Sequence, residues 1–350
     1  MVKMTNKKIF KDMKNNNIAI IIKTLLKNGS MSRIEISECC GLSPSTVGSG
    51  VGLLLEQNIV EEYCAGVSTG GRPPIVIRLN PNCCSTVAFE ITRNGVMAKV
   101  FNAHNQSIYE SSLSSRMLSG NALCNIIVSF IDNIKSGVLK APPNIVGIGL
   151  LCQDDIPDFD LNVEFSTSMD SAVVSLERFL SAQLGVPVRK EYIERYSLEY
   201  YMQNIEAANR NYAYINLGES ATASFFVNKK PVDIAGETVF DISSIAVAED
   251  AMELDEEKIN GINSNKAIGK LTINELVKKL TAFITFARIF FPVEDVFLGG
   301  TREDLGEVAY KTTLCLKFNP TVRELTLKNP HLSDLLARRL ILENHCLLLT

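Results

Sequence analysis

Two groups of residues near the start of the chain have the types and spacing to do chemistry on a polyanion. In Ser43-Pro44-Ser45-Thr46-Val47-Gly48-Ser49, small hydroxyls recur over about two helical turns. In Thr69-Gly70-Gly71-Arg72-Pro73-Pro74, one guanidinium sits on a stiff Gly/Pro loop. Hydroxyls on the open face of a helix can hydrogen-bond base edges in a major groove. An arginine on a narrow loop suits the strong negative potential of a narrow minor groove.

The surrounding pattern supplies elements that could hold both groups. Ile18, Ile21, Ile22, Leu25 and Leu26 repeat with helical period over residues 15 to 28, and Asn28-Gly29 ends that helix. Ser32-Arg33-Ile34-Glu35 reads as a capping box that opens a second helix running to Gly41. Ser43-Pro44 then starts a third, because serine is a good N-cap and proline fits the first helical position. Ser37 provides a small residue where helices two and three cross, Gly41 a residue tolerant of positive φ, and Ile36, Leu42 and Val47 the apolar wedge between them. Strands at Ile59 to Cys64 and Ile75 to Leu79 flank the Gly/Pro loop and form a wing. The expectation is a winged helix-turn-helix over residues 1–80, with Ser43, Ser45, Thr46, Ser49, Gly71, Arg72 and Pro73 as its contacts to double-stranded DNA. A generic three-helix bundle is the alternative, and the adjoining hairpin argues against it. Gly48, Gly50 and Gly52 each cost about 1 kcal/mol inside a helix and remove possible base-reading side chains. They predict a third helix prone to fraying, with more reliance on phosphate contacts and groove shape than on base edges.

Bulk properties agree with this division. The chain has 350 residues and a net charge of −4, but residues 1–80 carry ten Lys/Arg against six Asp/Glu, leaving −8 on the rest. A basic head on an acidic body is the asymmetry expected if only the head meets phosphates. Hydrophobic residues at 46% and charged residues at 21% allow a sizeable core. The first apolar run, Ile18 to Leu26, is short and broken by Lys23 and Thr24, and no stretch reaches the length of a membrane span. A soluble, cytoplasmic chain with no membrane contact is expected. Nine cysteines occur without a Cys-x-x-Cys pair, so they read as reduced, small hydrophobic residues.

Beyond Pro81 the pattern changes. A three-strand meander is expected over 85–113, then a helix near 120–138, a strand at Ile145 to Leu151, a helix near 170–184 and a strand at Val186 to Glu191. A similar order restarts at Tyr212, with strands at 212–217, 221–227 and 231–234, a helix at 271–291 and a strand at 294–298. The repetition indicates a duplicated α/β body of two lobes, 83–193 and 194–350. The run Asp154, Asp155, Asp158 and Asp160 lacks the spacing of a complete cation loop.

Residues 15–80, with Gly-Leu-Ser-Pro-Ser-Thr-Val at 41–47 and Ser-Thr-Gly-Gly-Arg-Pro-Pro at 68–74, resemble the regulator branch of the ROK family of transcription regulators and sugar kinases. The body matches by element order and by scattered glycines such as Gly149 and Gly299-Gly300. The resemblance implies an actin/hexokinase-like, ribonuclease H-like duplicated fold and a homo-oligomer, a dimer or a tetramer. It does not carry the family's kinase chemistry across. The family's Asp-x-Gly-x-Thr phosphate loop corresponds to Glu90-Ile91-Thr92-Arg93-Asn94-Gly95, and Ile193 stands where the family has its catalytic Asp. Isoleucine cannot accept a hydroxyl proton. The second phosphate loop reads Gly218-Glu219-Ser220-Ala221-Thr222-Ala223, where Glu219 would repel a phosphate. The family's zinc site needs His and Cys, yet none of either lies between Cys152 and Cys315, and Phe240 stands near the usual His. Glu237 matches a family glutamate that binds a sugar hydroxyl.

The expectation is therefore a DNA-binding regulator, with repression favoured over activation, linked to carbohydrate metabolism. Its pseudokinase body would oligomerise and could sense a sugar or sugar-derived effector through Glu237, with no catalytic residue, no metal and no cofactor. Two other readings fit parts of the sequence: an active sugar kinase carrying a DNA-binding head, and a ligand-free architectural or interaction protein.

Overall fold

The computed structural model describes residues 2–65, 74–153, 156, 158–166, 171–193, 195–197, 199, 211–217, 221–228, 230–232, 240–242, 271–300, 302–316, 321–324 and 332–349. For 2–14 and a few strand ends it describes the backbone alone.

The chain opens with α1 (Val2–Asn28), β1 (Met31–Ser32), α2 (Arg33–Cys40), α3 (Pro44–Glu56), β2 (Val60–Ala65) and β3 (Ile75–Leu79). The three strands form one antiparallel sheet in the order β1-β3-β2. Ile21, Ile22, Ile36, Val47, Val51, Leu54 and Ile77 are fully buried in a shared core. That burial is why the period of the first helix persists through the tri-helical head. α3 is continuous across Gly48, Gly50 and Gly52. Gly50 has a packing reason to be there: a Cβ on it would stand 2.6 Å from Ile21 Cδ1, so its absence lets α3 lie close on α1. Gly48 and Gly52 face open space.

The body continues with β4 (Ser85–Thr92), β5 (Gly95–Asn102), β6 (Ser107–Ser114), α4 (Gly120–Lys135), β7 (Ile145–Cys152), β8 (Asn162–Ser166), β9 (Ser171–Ser175), α5 (Leu176–Leu184) and β10 (Val188–Tyr192). It then has β11 (Tyr212–Leu217), β12 (Ala221–Val227), β13 (Lys230–Pro231), β14 (Phe240–Asp241), α6 (Ile273–Phe290), β15 (Asp295–Gly299), α7 (Leu305–Cys315), β16 (Thr321–Glu324) and α8 (Leu332–Asn344). A 3-10 turn at His345–Leu349 follows α8. One sheet runs β10-β7-β4-β5-β6 and the other β13-β12-β11-β15-β16, with β14 added beside β12. The helix expected from 170 begins only at Leu176, because Ser171–Ser175 pairs antiparallel with Asn162–Ser166. Of the strand expected at 231–234, Pro231 lies in β13 and residues 233–234 lie outside the described residues.

Contacts divide the chain into two units. The first holds Met1–Cys152, Ile156–Glu191 and His331–Thr350; the second holds Gln153–Asp155 and Tyr192–Pro330. This differs from the sequence expectation at both ends of the body. The head is not set apart at residue 80: Cys84, Ala103, Val146, Ile341 and Leu348 join its core. The last twenty residues belong with the first unit rather than with a lobe running from 194 to 350. The reason lies in the stripe of α8. Leu336, Ala337 and Leu340 are buried, and Cβ atoms on Gly147 and Gly149 would stand 2.9 Å from Leu340 Cβ and 2.8 Å from Leu336 Cγ. Bare glycine backbone in β7 lets the last helix lie flat on the sheet.

In the second unit, Leu276, Val277, Leu280 and Ile284 of α6 and Val308 of α7 bury against β11, β12 and β15. Thr272 and Glu275 cap α6 reciprocally, with Thr272 N–H donating to Glu275 Oε2 at 2.8 Å.

Candidate nucleic-acid interface

The turn between α2 and α3 is built by short-range hydrogen bonds. Ser32 caps α2: Glu35 N–H donates to Ser32 Oγ at 3.3 Å, and Ser32 N–H donates to Glu35 Oε2 at 2.7 Å. That second bond holds the Glu35 carboxyl below its ordinary range. Gly41 closes α2 in the left-handed conformation at φ 70°, its N–H donating to Ser37 O. Ser37 is more than a small spacer: its hydroxyl donates to Leu42 O at 2.6 Å and fixes the turn.

Ser43 caps α3 by accepting from Thr46 N–H at 3.2 Å. Its hydroxyl also lies 2.8 Å from Thr46 Oγ1 and 3.0 Å from Ser45 Oγ. Ser43 and Thr46 are thus committed to starting the helix. Ser45 and Ser49 are exposed, while Val47 and Val51 on the opposite side are buried. Open space over Gly48 and Gly52 leaves backbone accessible beside Ser49. This face can approach a groove closely and offer small hydroxyl donors and acceptors, and the positive end of the α3 dipole favours an anion.

The wing is clamped at its base. Arg33 Nη2 reaches Glu62 Oε1 at 3.3 Å, tying α2 to β2. Arg78 Nε donates to Glu61 Oε1 at 2.6 Å, and its guanidinium lies 3.7 Å from the centre of the Tyr63 ring. These cross-strand partners left no local signal in the sequence: Glu61 lies directly opposite Arg78 in the register, and Tyr63 sits at the bulge between Glu62 and Cys64. Gly71, Arg72 and Pro73 lie outside the described residues.

The body sites compare as follows. The β4–β5 turn forms a tight hairpin over Arg93 and Asn94. Glu90 is held by Lys99 Nζ at 3.2 Å and accepts a short hydrogen bond from Ser333. Ile193 follows β10 directly and its carbonyl accepts from Ser197 Oγ at 2.9 Å. Glu191, just before it, is buried and paired with Arg189 at 2.6 Å and Arg339 at 3.8 Å. Phe240 packs against Phe225, which also meets Phe283 and Phe291. Glu219, Glu237, Asp154 and Asp155 lie outside the described residues. Among the described residues, no group of three or more His, Cys, Asp or Glu side chains is placed to hold a metal ion. Among them also, no helix is long and apolar enough to cross a membrane.

A winged tri-helical head followed by two like α/β sheets is an architecture shared with a solved regulator. A crystal structure of a ROK family transcriptional regulator, homologous to the E. coli MLC protein, matches 96% of this chain and 98% of its own with a TM-score of 0.56 at 12% identity. The chain therefore has the fold of that regulator, with the α2-turn-α3 unit at its N-terminal end. The xylose repressor of Bacillus spizizenii is 25% identical over 176 residues, 50% of this chain and 46% of that repressor. The xylose repressor of Caldicellulosiruptor bescii is 26% identical over 195 residues, 55% of this chain and 45% of its own. The matched region spans about half the length of these repressors. No protein-family model matches the chain. The chain is thus similar in sequence to proteins named xylose repressor and similar in fold to a solved ROK family regulator.

Proposed function

We propose that the chain is a DNA-binding transcriptional repressor whose sugar-kinase-like body has no kinase activity. The observation that carries this reading is the α2-turn-α3 unit beside a three-stranded wing, with Ser45 and Ser49 exposed over a glycine-lined face. Ser43 and Thr46 set the start of the reading helix, and Arg72, flanked by Gly71 and Pro73, enters the minor groove at the half-site edge. The relatives that carry the name xylose repressor favour a sugar effector, and Glu237 is the residue assigned to its hydroxyls.

Loss of phosphoryl transfer follows from the side chains. Glu90 in place of a phosphate-cradling loop is already neutralised by Lys99, and Ile193 offers no base for the attacking hydroxyl. Oligomerisation is favoured by an apolar surface on the second unit: Phe286, Ile289 and Phe290 of α6 and Tyr310 and Leu314 of α7 are all more than half exposed. A two-fold dimer would read an inverted repeat.

Selection of bound duplexes from random DNA tests the reading. The expected result is one enriched inverted repeat, bound with an affinity that falls steeply with salt. Absence of any enriched motif, together with absence of a gel shift at low salt, would reject it. Sugar-dependent ATP turnover by the purified chain would reject the inactive-body half.

A further inference from the structure

A cavity of about 480 Å³ opens within the first unit, where the head meets the body. The end of α1 (Leu25 to Ser30) and Arg78-Leu79 of β3 form one wall. The β5–β6 turn at Ala103 to Asn105 and the α8 residues Arg338, Ile341 and Leu342 form the other. Its lining contains Lys27, Arg78 and Arg338 and no Asp or Glu. Arg78 shares its charge with Glu61. Lys27 and Arg338 form no ion pair among the described residues and are exposed. The carbonyl end of α1 opposes them with about half a negative charge, well short of the three cations. Two further groups converge. His104 Nε2 donates to Leu79 O at 2.6 Å, which orients the ring in the lining. Asn105, held at φ 58°, has a buried side-chain oxygen with no hydrogen-bond partner. A buried acceptor left unpaired is costly, and a hydroxyl donor would satisfy it.

We propose that this junction cavity binds a small hydroxylated anion, a phosphate or carboxylate whose charge meets Lys27 and Arg338 and whose hydroxyl donates to Asn105. The site is separate from the face of α3, which contributes no residue to its lining. An occupant touches head and body at once, so it fixes the angle at which the head is carried. Binding itself stands whether or not the head recognises DNA.

Calorimetry on the full chain tests this with four probes: glucose 6-phosphate, gluconate, inorganic phosphate and glucose. The expected result is saturable one-to-one binding of glucose 6-phosphate or gluconate, weakened about tenfold by Arg338→Ala and further by adding Lys27→Ala, the size of one charge-assisted contact per step. Arg338→Lys should keep most of the affinity. Asn105→Gly, which tolerates the positive φ, should weaken the hydroxylated anions and leave inorganic phosphate unchanged. Circular dichroism of each variant verifies that it folds. Binding should also slow amide exchange at both 25–30 and 103–105. Four results would overturn the proposal: no saturable binding of either hydroxylated anion, affinity unmoved by Arg338→Ala, phosphate bound as tightly as the hydroxylated anions (an adventitious ion only), or glucose bound as tightly as its phosphate.

Discussion

The two halves of the body share one sheet topology and are closed in different ways. Each has an antiparallel meander, β4-β5-β6 or β11-β12-β13, followed by a parallel partner of its first strand, β7 or β15. The second half covers its sheet with α6 and α7, which lie beside it in sequence. The first half has α4 on one face, with Phe130 edge-on to Phe89 at 5.7 Å, and takes the helix for its other face from the C-terminal end of the chain. That borrowed helix, with the turn after it, also packs into the core of the head through Ile341 and Leu348. A duplicated fold thus supports its head asymmetrically: the head depends on the first half and on the final helix.

Leu336→Ala should break that comparison most severely. Leu336 is fully buried over Gly149, and such truncations cost about 2–5 kcal/mol. Hydrogen exchange should speed up in β4, β7 and α1 and stay unchanged in β11 and β15. Ile284→Ala, at a buried position of α6, should give the mirror result. Uniform acceleration in both halves would contradict the asymmetry.

The three glycines of α3 sharpen the distinction between packing and contact. Gly50→Ala meets Ile21 and should destabilise the head, whereas Gly48→Ala faces open space and should stabilise it by about 1 kcal/mol. If the Gly48 face meets DNA, that same variant should bind operator more weakly although it melts later. Chemical denaturation and anisotropy on one pair of samples decide it.

Smaller effects are expected at the caps. Ser32→Ala should cost about 1 kcal/mol. Glu35 and Asp304 have folded carboxyls held below their ordinary values by Ser32 and by Arg302, respectively. A depressed carboxylate stabilises the fold above its unfolded value and loses that contribution as pH falls through the folded one. Acid titration of stability should therefore flatten in the head for Glu35→Gln, which removes the titrating carboxyl, and in the second unit for Arg302→Ala. Equal acid limbs in variant and parent would refute the assignment.

Much of this was legible beforehand where the signal was local. The capping box at Ser32, the left-handed Gly41 and the Ser43-Pro44 start each depend on residues within four positions, and each forms as its chemistry requires. Long-range pairings left little trace. Nothing near Gly147 and Gly149 announces a helix arriving from residue 332. The Arg78–Tyr63–Glu61 clamp needs the strand register before it can be seen. The three glycines of α3 looked like one weakness, and only the packing separates Gly50 from Gly48 and Gly52. The junction cavity needs four separate segments brought together.

The central claim is that the exposed face of α3 enters the major groove. A photo-crosslinker attached at Ser49→Cys tests it directly on a selected duplex, with the same reagent at exposed Lys230→Cys of the second unit as control. The account predicts base crosslinks from position 49, confined to the half-sites, and none from position 230. Retained DNA binding without crosslinks from position 49, or equal yields from both positions, would contradict it.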